Sequence, residues 1–215
     1  FAPGFEILGK GWPKIFQPDY TEVITQIARE KPDAIYTSLW GGDLVSFIDQ
    51  AALYGIFKNT QLFAINLADY TTMSAVKNLP AGLHSATRYV AAWPNTESNR
   101  NYDKSYTDLY GDHPTNWSWE ASVGIDYLIS AIKEIGGTDN KKIAEYMKGK
   151  QKESFMGVGK DNTVRIRKND QTIVDYSIGW GTTIPEDPYM NNIQAANWST
   201  IEELEKEWLT DKGWL

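Results

Sequence analysis

The chain has 215 residues, of which 41% are hydrophobic and 23% charged, and its formal net charge is −7. This composition is ordinary for a globular protein with one large domain or two small ones, and a pI of about 4.9 argues against a nucleic-acid partner, which usually meets a basic face. No apolar run approaches the eighteen or so residues of a membrane span, and the absence of cysteine excludes disulfides and thiolate chemistry. The chain opens with Phe1, and residues 1–11 lack the basic start and long apolar core of a signal peptide, so we expect the start to be processed or cut.

Residues 31–56 predict a complete strand, loop and helix. The run AIYT at 34–37 suits a strand buried on both faces of a parallel sheet. A Gly-Gly pair then interrupts the pattern, and a helix is predicted from Leu44 with Asp43 placed to cap its first amides. The turn between strand and helix lies at the carboxyl end of the strand, where α/β sheets bind ligands. We therefore expect Trp40, in the middle of this turn, to line a ligand cleft.

The flanking segments extend this pattern into a βαβαβ run. Residues 6–12 form a candidate strand, and Asp19 with Glu22 has capping-box spacing ahead of a helix that carries four apolar residues on one face. Residues 61–65 and 82–90 indicate strands, with a short helix at 70–76 between them. Helical crossovers imply that the strands at 34–37, 61–65 and 83–89 are neighbours in one largely parallel sheet.

The pattern becomes helical after Trp93. A helix is predicted at 99–110, and the clearest helix of the chain at 120–135, where a Gly-Gly pair ends it. Its apolar face consists of Ala121, Ile125, Leu128, Ile129, Ile132 and Ile135. Two consecutive helices need a surface that the preceding strands do not supply, so we expect them to belong to a different lobe.

The last third returns to short strands. A helix is predicted at 140–147, strands at 163–166 and 172–179 around a turn at 168–170, and then a proline-containing loop after Thr182. A final helix is predicted at 199–209, with Ser199 and Glu202 at capping-box spacing. The only basic cluster is expected to be a solvated strand edge, and it comprises Arg165, Arg167 and Lys168.

Enzymatic motifs are weak in this chain. Its two histidines have no metal-ligand spacing, and no G-x-S-x-G elbow is present. The segment GVGK at 157–160 resembles a phosphate loop only superficially and is explained by a plain turn. We therefore expect no enzyme activity, no catalytic residue, no metal and no cofactor.

Five segments in order resemble a known family. They are PDAIYTSLWGGDLVSFIDQAALYGI, FAIN, PAGLHSATRYVAAWP, YTDLYGDHPTNWSWEASVGIDYLISAI and VRIRKNDQTI. Their order and spacing are similar to the branched-chain amino-acid and amide type of periplasmic solute-binding protein, which feeds ABC transporters. The resemblance covers residues 6–180 and implies an α/β fold, periplasmic-binding-protein type I, with two Rossmann-like lobes of mostly parallel sheet that close on a small solute.

The resemblance also implies that the first lobe is largely missing and would be a partner from the same protein. Residues 1–92 would be the second-lobe α/β unit, and residues 93–150 would be helices returning to the first lobe. Residues 151–182 would be strands near the hinge, and residues 183–215 a loop and helix. An apolar surface should then be exposed on the helix at 120–135.

The resemblance places ligand-contact candidates on the chain. Trp40 matches a second-lobe contact, with hinge-side packing as the alternative. Asn66 stands where amino-acid-binding members carry an acid that meets the ligand ammonium, and its alternative is a turn residue. Ser38 could donate to a ligand carboxylate or cap the turn. Tyr89 would form hinge or cleft wall, and Trp119 would reach the cleft or pack in the core.

The function implied by the resemblance is extracytoplasmic capture of a small polar organic solute. An amino acid, an amide or an aromatic acid would be held between the lobes and delivered to the permease of an ABC transporter. The location would be periplasmic, or extracytoplasmic with a lipid anchor. The alternative is a ligand-sensing receptor domain of the same fold.

Overall fold

The structure is a computed structural model, and it describes residues 4–154, 163–170 and 172–215. The chain divides into two compact units, one formed by residues up to Thr87 with Trp180–Ile193, the other by Arg88–Gly179 with Gln194–Leu215. The GVGK segment at 157–160 lies outside the described residues. Within the described ranges, no helix combines the length and the apolar character needed to cross a membrane.

The elements alternate between helix and strand in the first half and are mixed in the second. In chain order they are α1 (Thr21–Glu30), β1 (Ala34–Thr37), α2 (Gly41–Leu53), a 3-10 helix (Ile56–Lys58), β2 (Gln61–Ala64), α3 (Tyr70–Ala75), β3 (His84–Thr87), α4 (Glu97–Tyr110), α5 (Asn116–Ile135), α6 (Asn140–Met147), β4 (Gln151–Glu153), β5 (Thr163–Ile166), β6 (Ile173–Val174), β7 (Ile178–Thr183), β8 (Met190–Ala195) and α7 (Trp198–Asp211).

The first unit is built on a five-stranded sheet with the order β1-β2-β3-β7-β8. β1 pairs with β2, and β2 with β3, both in parallel, with Tyr36 opposite Phe63 and Phe63 opposite His84. The predicted parallel neighbours are therefore confirmed. Because the three strands follow one another in a single direction across the sheet, right-handed crossovers place α2 and α3 on the same face.

The two faces of this sheet differ in burial. Leu62, Ala64 and Ser85 are buried, whereas Tyr36 is 71% exposed and Phe63 39% exposed on the alternate positions. The expectation that β1 is buried on both faces is wrong. β1 is an edge strand among the described residues, and its burial alternates between exposed and half-buried.

Two predictions in the N-terminal segments are also wrong. Residues 6–12 form no strand, and Trp12 is 88% exposed, because this segment has no strand partner in the described part of the chain. α2 begins at Gly41 rather than Leu44, and Asp43 does not cap it. The carboxylate of Asp43 instead accepts a hydrogen bond from the backbone N–H of Phe16, at 3.0 Å to Oδ1.

The second unit combines α4–α7 with a small antiparallel sheet of order β4-β5-β6. Its core cluster consists of Tyr89, Trp119, Val123, Tyr127, Val164, Ile166 and Tyr176. α5 contributes much of this core and begins four residues before its predicted start, because the side chain of Thr115 accepts from the backbone N–H of Ser118 and caps the helix there. Gly136, with φ 65°, ends it as predicted.

α5 is covered on only one side by the described chain. Its buried stripe repeats every four residues and comprises Trp119, Val123, Tyr127 and Ala131. On the predicted apolar face, Ile125 is 57% exposed, Leu128 41% and Ile129 45%. The prediction that this helix carries an exposed apolar surface is confirmed.

The C-terminal region differs from its prediction in three respects. The loop expected after Thr182 contains strand β8, and α7 is capped by Asn197, whose side chain accepts from the backbone N–H of Thr200. The basic cluster is not a solvated edge. Arg165 contacts Asp175 at 3.0 Å and Glu202 at 3.2 Å, so the cluster joins β5 to α7 through ion pairs.

Candidate functional site

Three of the five predicted contacts lie at one edge of the first unit's sheet. Thr37 and Ala64 are register partners at the carboxyl ends of β1 and β2. Ser38 and Trp40 follow the first of these strands and Asn66 follows the second, and all three side chains are exposed. The structure therefore brings these three residues to the carboxyl edge, where parallel sheets bind ligands.

The turn that carries Trp40 has a distinctive backbone. Gly41 has φ 53°, a left-handed conformation that glycine adopts without strain. This conformation lets α2 begin immediately after Trp40, whose indole remains 62% exposed. The hydroxyl of Thr37, rather than that of Ser38, closes the turn by accepting from the backbone N–H of Leu39 at 3.1 Å.

The other two predicted contacts are core residues of the second unit. Tyr89 is 1% exposed and Trp119 is fully buried, with their rings parallel and their centroids 6.4 Å apart. The ring of Tyr176 also packs against Trp119, with 4.3 Å between the ring centroids. Burial, reinforced by the charge of Asp103, raises the pKa of Tyr89 well above its ordinary value. Trp119 therefore packs in the core, which was the alternative to its contact with a ligand.

A polar cluster that sequence reasoning did not assign lies beside this core. Arg88 directly follows β3, and its Nε lies 3.0 Å from Oε1 of Glu120. The guanidinium stands over the ring of Trp117 at 5.5 Å from the centroid. Tyr176 donates to the same Glu120 oxygen at 3.4 Å. Burial and the charge of Glu120 raise the pKa of Tyr176 to about 12. In the sequence, Arg88 lies within the predicted strand at 82–90, and nothing there indicates its contact with Glu120.

Two surface cavities of the second unit are lined by residues outside this polar cluster. One, of about 240 Å³, contains the ion pair between Lys152 and Asp126 at 2.5 Å. The other, of about 420 Å³, is lined by the paired charges of β5 and α7, including Arg165 and Glu202. Lys152 and Asp126 form an ion pair in the first cavity, and Arg165 and Arg167 pair with Glu202 and Glu205 in the second. The described residues contain no group of three or more acidic, histidine or cysteine side chains that could hold a metal ion.

Residues 2–179 match the family model for the periplasmic binding protein, so the chain belongs to the periplasmic binding protein family. Solved structures with the same fold include substrate-binding proteins of ABC transporters, and the predicted periplasmic-binding-protein type I fold is confirmed. No curated protein matches the chain.

Three solved structures illustrate the similarity. The amino acid ABC transporter substrate-binding protein from Pseudomonas fluorescens Pf-5 has 17% identity and a TM-score of 0.76, over 91% of this chain and 52% of that one. A Rhodopseudomonas palustris solute-binding protein in complex with 4-hydroxybenzoate has 16% identity and a TM-score of 0.74, over 93% and 55%. A solute-binding protein from Rhodopseudomonas palustris BisB5, in complex with 3,4-dihydroxybenzoic acid, has 22% identity and a TM-score of 0.70, over 82% of this chain and 48% of that one. The chain thus spans about half the length of these neighbours.

Proposed function

We propose that the protein containing this chain is an extracytoplasmic binding protein that captures a small polar organic solute and delivers it to an ABC transporter. The observation that carries the proposal is the family match over residues 2–179. The role is binding without chemistry. The permease of the transporter would be its partner, and its location would be the periplasm or a lipid-anchored extracytoplasmic position.

The solute class follows from the exposed residues at the carboxyl edge of the first unit's sheet. Trp40 offers a flat apolar surface, and the uncharged Asn66 would replace the acid expected to meet an ammonium group. Asn66 forms no side-chain hydrogen bond with the described residues, so its amide is available to a solute. These features favour a flat or weakly cationic solute over a simple α-amino acid. Among the fold neighbours, solute-binding proteins in complex with 3,4-dihydroxybenzoic acid and 4-hydroxybenzoate support an aromatic acid.

Trp40 would contribute apolar contact to the bound solute. Covering one ring face removes tens of square ångströms from water, which at about 25 cal/mol per Å² is worth on the order of 1 to 2 kcal/mol. Ser38 would donate its hydroxyl to a polar group of the solute, since Thr37 already closes the turn.

The test is calorimetric titration of the full-length protein with a panel of aromatic acids, amides and amino acids. We expect saturable one-to-one binding of at least one solute, and a roughly ten-fold loss of its affinity in Trp40→Ala. Trp12→Ala is the matched control, because Trp12 is 88% exposed and outside any strand, and it should leave affinity unchanged. Failure of the whole panel to bind would contradict the proposal.

A further inference from the structure

The cluster around Arg88 has one strong hydrogen-bonding group still available. Arg88 is held through Nε by Glu120, and about half of its side chain, 47%, is exposed. Its terminal guanidinium nitrogens have no hydrogen-bond partner among the described residues. A guanidinium presents its donors in a rigid planar fork that matches the two oxygens of a carboxylate. The free edge of Arg88 therefore has the geometry for one bidentate anion contact.

Glu120 and Tyr176 fix the direction of this fork. Glu120 is only 27% exposed, and its Oε1 receives both Arg88 and the hydroxyl of Tyr176. Tyr176 is in turn packed on the buried ring of Trp119. Because the chain of contacts ends in the core, the guanidinium loses little conformational freedom on binding a ligand.

Trp117 gives the cluster a flat apolar side. Its indole is 59% exposed and lies beneath the guanidinium, a cation–π arrangement that leaves ring surface in water. A planar group bound to Arg88 could stack on that surface. Oε1 of Glu120 is already contacted by two donors, whereas Arg88 still presents unused N–H groups, and these favour an anionic ligand.

We propose that Arg88 recognises the carboxylate of the solute, with Glu120 as the residue that positions it and Trp117 as a flat contact. This inference rests on the proposed solute-binding function and narrows it to carboxylate-bearing solutes.

The experiment compares an acid with its matched amide. Calorimetry of the full-length protein would use two probe pairs, 4-hydroxybenzoate with 4-hydroxybenzamide and leucine with leucinamide. We expect wild-type protein to prefer the acid of the binding pair at least ten-fold. Arg88→Gln should lower acid affinity about 10- to 100-fold and bring the acid-to-amide ratio close to one, while amide affinity stays the same.

Two further variants separate recognition from structure. Arg100→Gln is the matched control and should keep the wild-type ratio. Arg100 is exposed in α4, and among the described residues its side chain bonds only to Asn95. Arg88→Lys, which keeps the charge but loses the fork, should give an intermediate ratio and serves if Arg88→Gln fails to fold. Glu120→Gln should lower the ratio while retaining some acid preference.

The failures are distinguishable. An unchanged acid-to-amide ratio in Arg88→Gln, with solute still bound, would overturn the assignment of Arg88 and leave the proposed function standing. Equal affinity of the wild-type protein for the amide and the acid would likewise overturn the assignment of Arg88 and leave the proposed function standing. Binding of amides without any acid would overturn only the assignment of Arg88, whereas absence of binding by every member of the panel would overturn both.

Discussion

Trp40 and Trp119 are both tryptophans that sequence reasoning considered as ligand contacts, yet the structure predicts opposite behaviour on replacement. Trp119 is fully buried, with its ring parallel to that of Tyr89 and tilted against that of Tyr176. Removing a buried tryptophan loses its transfer energy and leaves a cavity, which together cost about 3–5 kcal/mol. Trp40 keeps 62% of its surface in water, so its replacement by alanine should cost only about 1 kcal/mol.

Urea unfolding of the solute-free protein, followed by circular dichroism, measures both costs. Trp119→Phe is the control for shape, since it keeps a ring in the stack. The buried indole N–H of Trp119 has no hydrogen-bond partner among the described residues, so phenylalanine forfeits no hydrogen bond and should recover a large part of the loss. Equal costs for Trp40→Ala and Trp119→Ala would refute the assignment of Trp119 to the core.

Three further predictions concern the second unit. Burial raises the pKa of Tyr127 and of Tyr176 to about 12, against about 10 when unfolded, so their contribution to stability is complete below pH 10 and is lost as the pH rises toward 12, at about 1.4 kcal/mol per pH unit each. The unfolding free energy measured at increasing pH should show this slope, and Tyr127→Phe should reduce it, whereas an unchanged slope would contradict the raised pKa of Tyr127. Glu202→Gln should cost about 1 kcal/mol and speed hydrogen exchange in α7, since it weakens contacts to Arg165 in β5 and to Arg167 just after it. Unchanged exchange would show that the ion pairs do not hold the helix. Replacing Leu128 and Ile129 together by glutamine should reduce self-association of this chain in sedimentation measurements while changing its unfolding free energy by about 0.5 kcal/mol or less, and a large loss of stability would show that this face is covered.

Sequence periodicity was sufficient for elements whose local signal agrees with their packing. The strands predicted at 34–37 and 61–65 match β1 and β2, because short apolar runs alternate there with amphipathic helices, and glycine marks the end of α5. β8 was missed because its residues, MNNIQA, do not alternate between apolar and polar, and only Met190 is buried. Residues 6–12 have a strand-like composition, but a strand forms only where a neighbour supplies hydrogen bonds.

The candidate site was only partly predictable for a similar reason. Ser38, Trp40 and Asn66 follow strands, and the parallel topology alone brings them to one edge. The burial of Trp119 depends on contacts with Tyr89 and Tyr176, which are 30 and 57 residues away in sequence. The orientation of Arg88 depends likewise on Glu120, a long-range contact without a local signature.

The central claim, that the protein captures a small organic solute, is tested most directly by native mass spectrometry of the purified full-length protein. After incubation with the panel of aromatic acids, amides and amino acids, the account predicts a mass increase equal to one solute molecule per protein. That increase should disappear when the solute is dialysed away and return when it is added back. A protein that keeps its unliganded mass with every member of the panel would contradict the account.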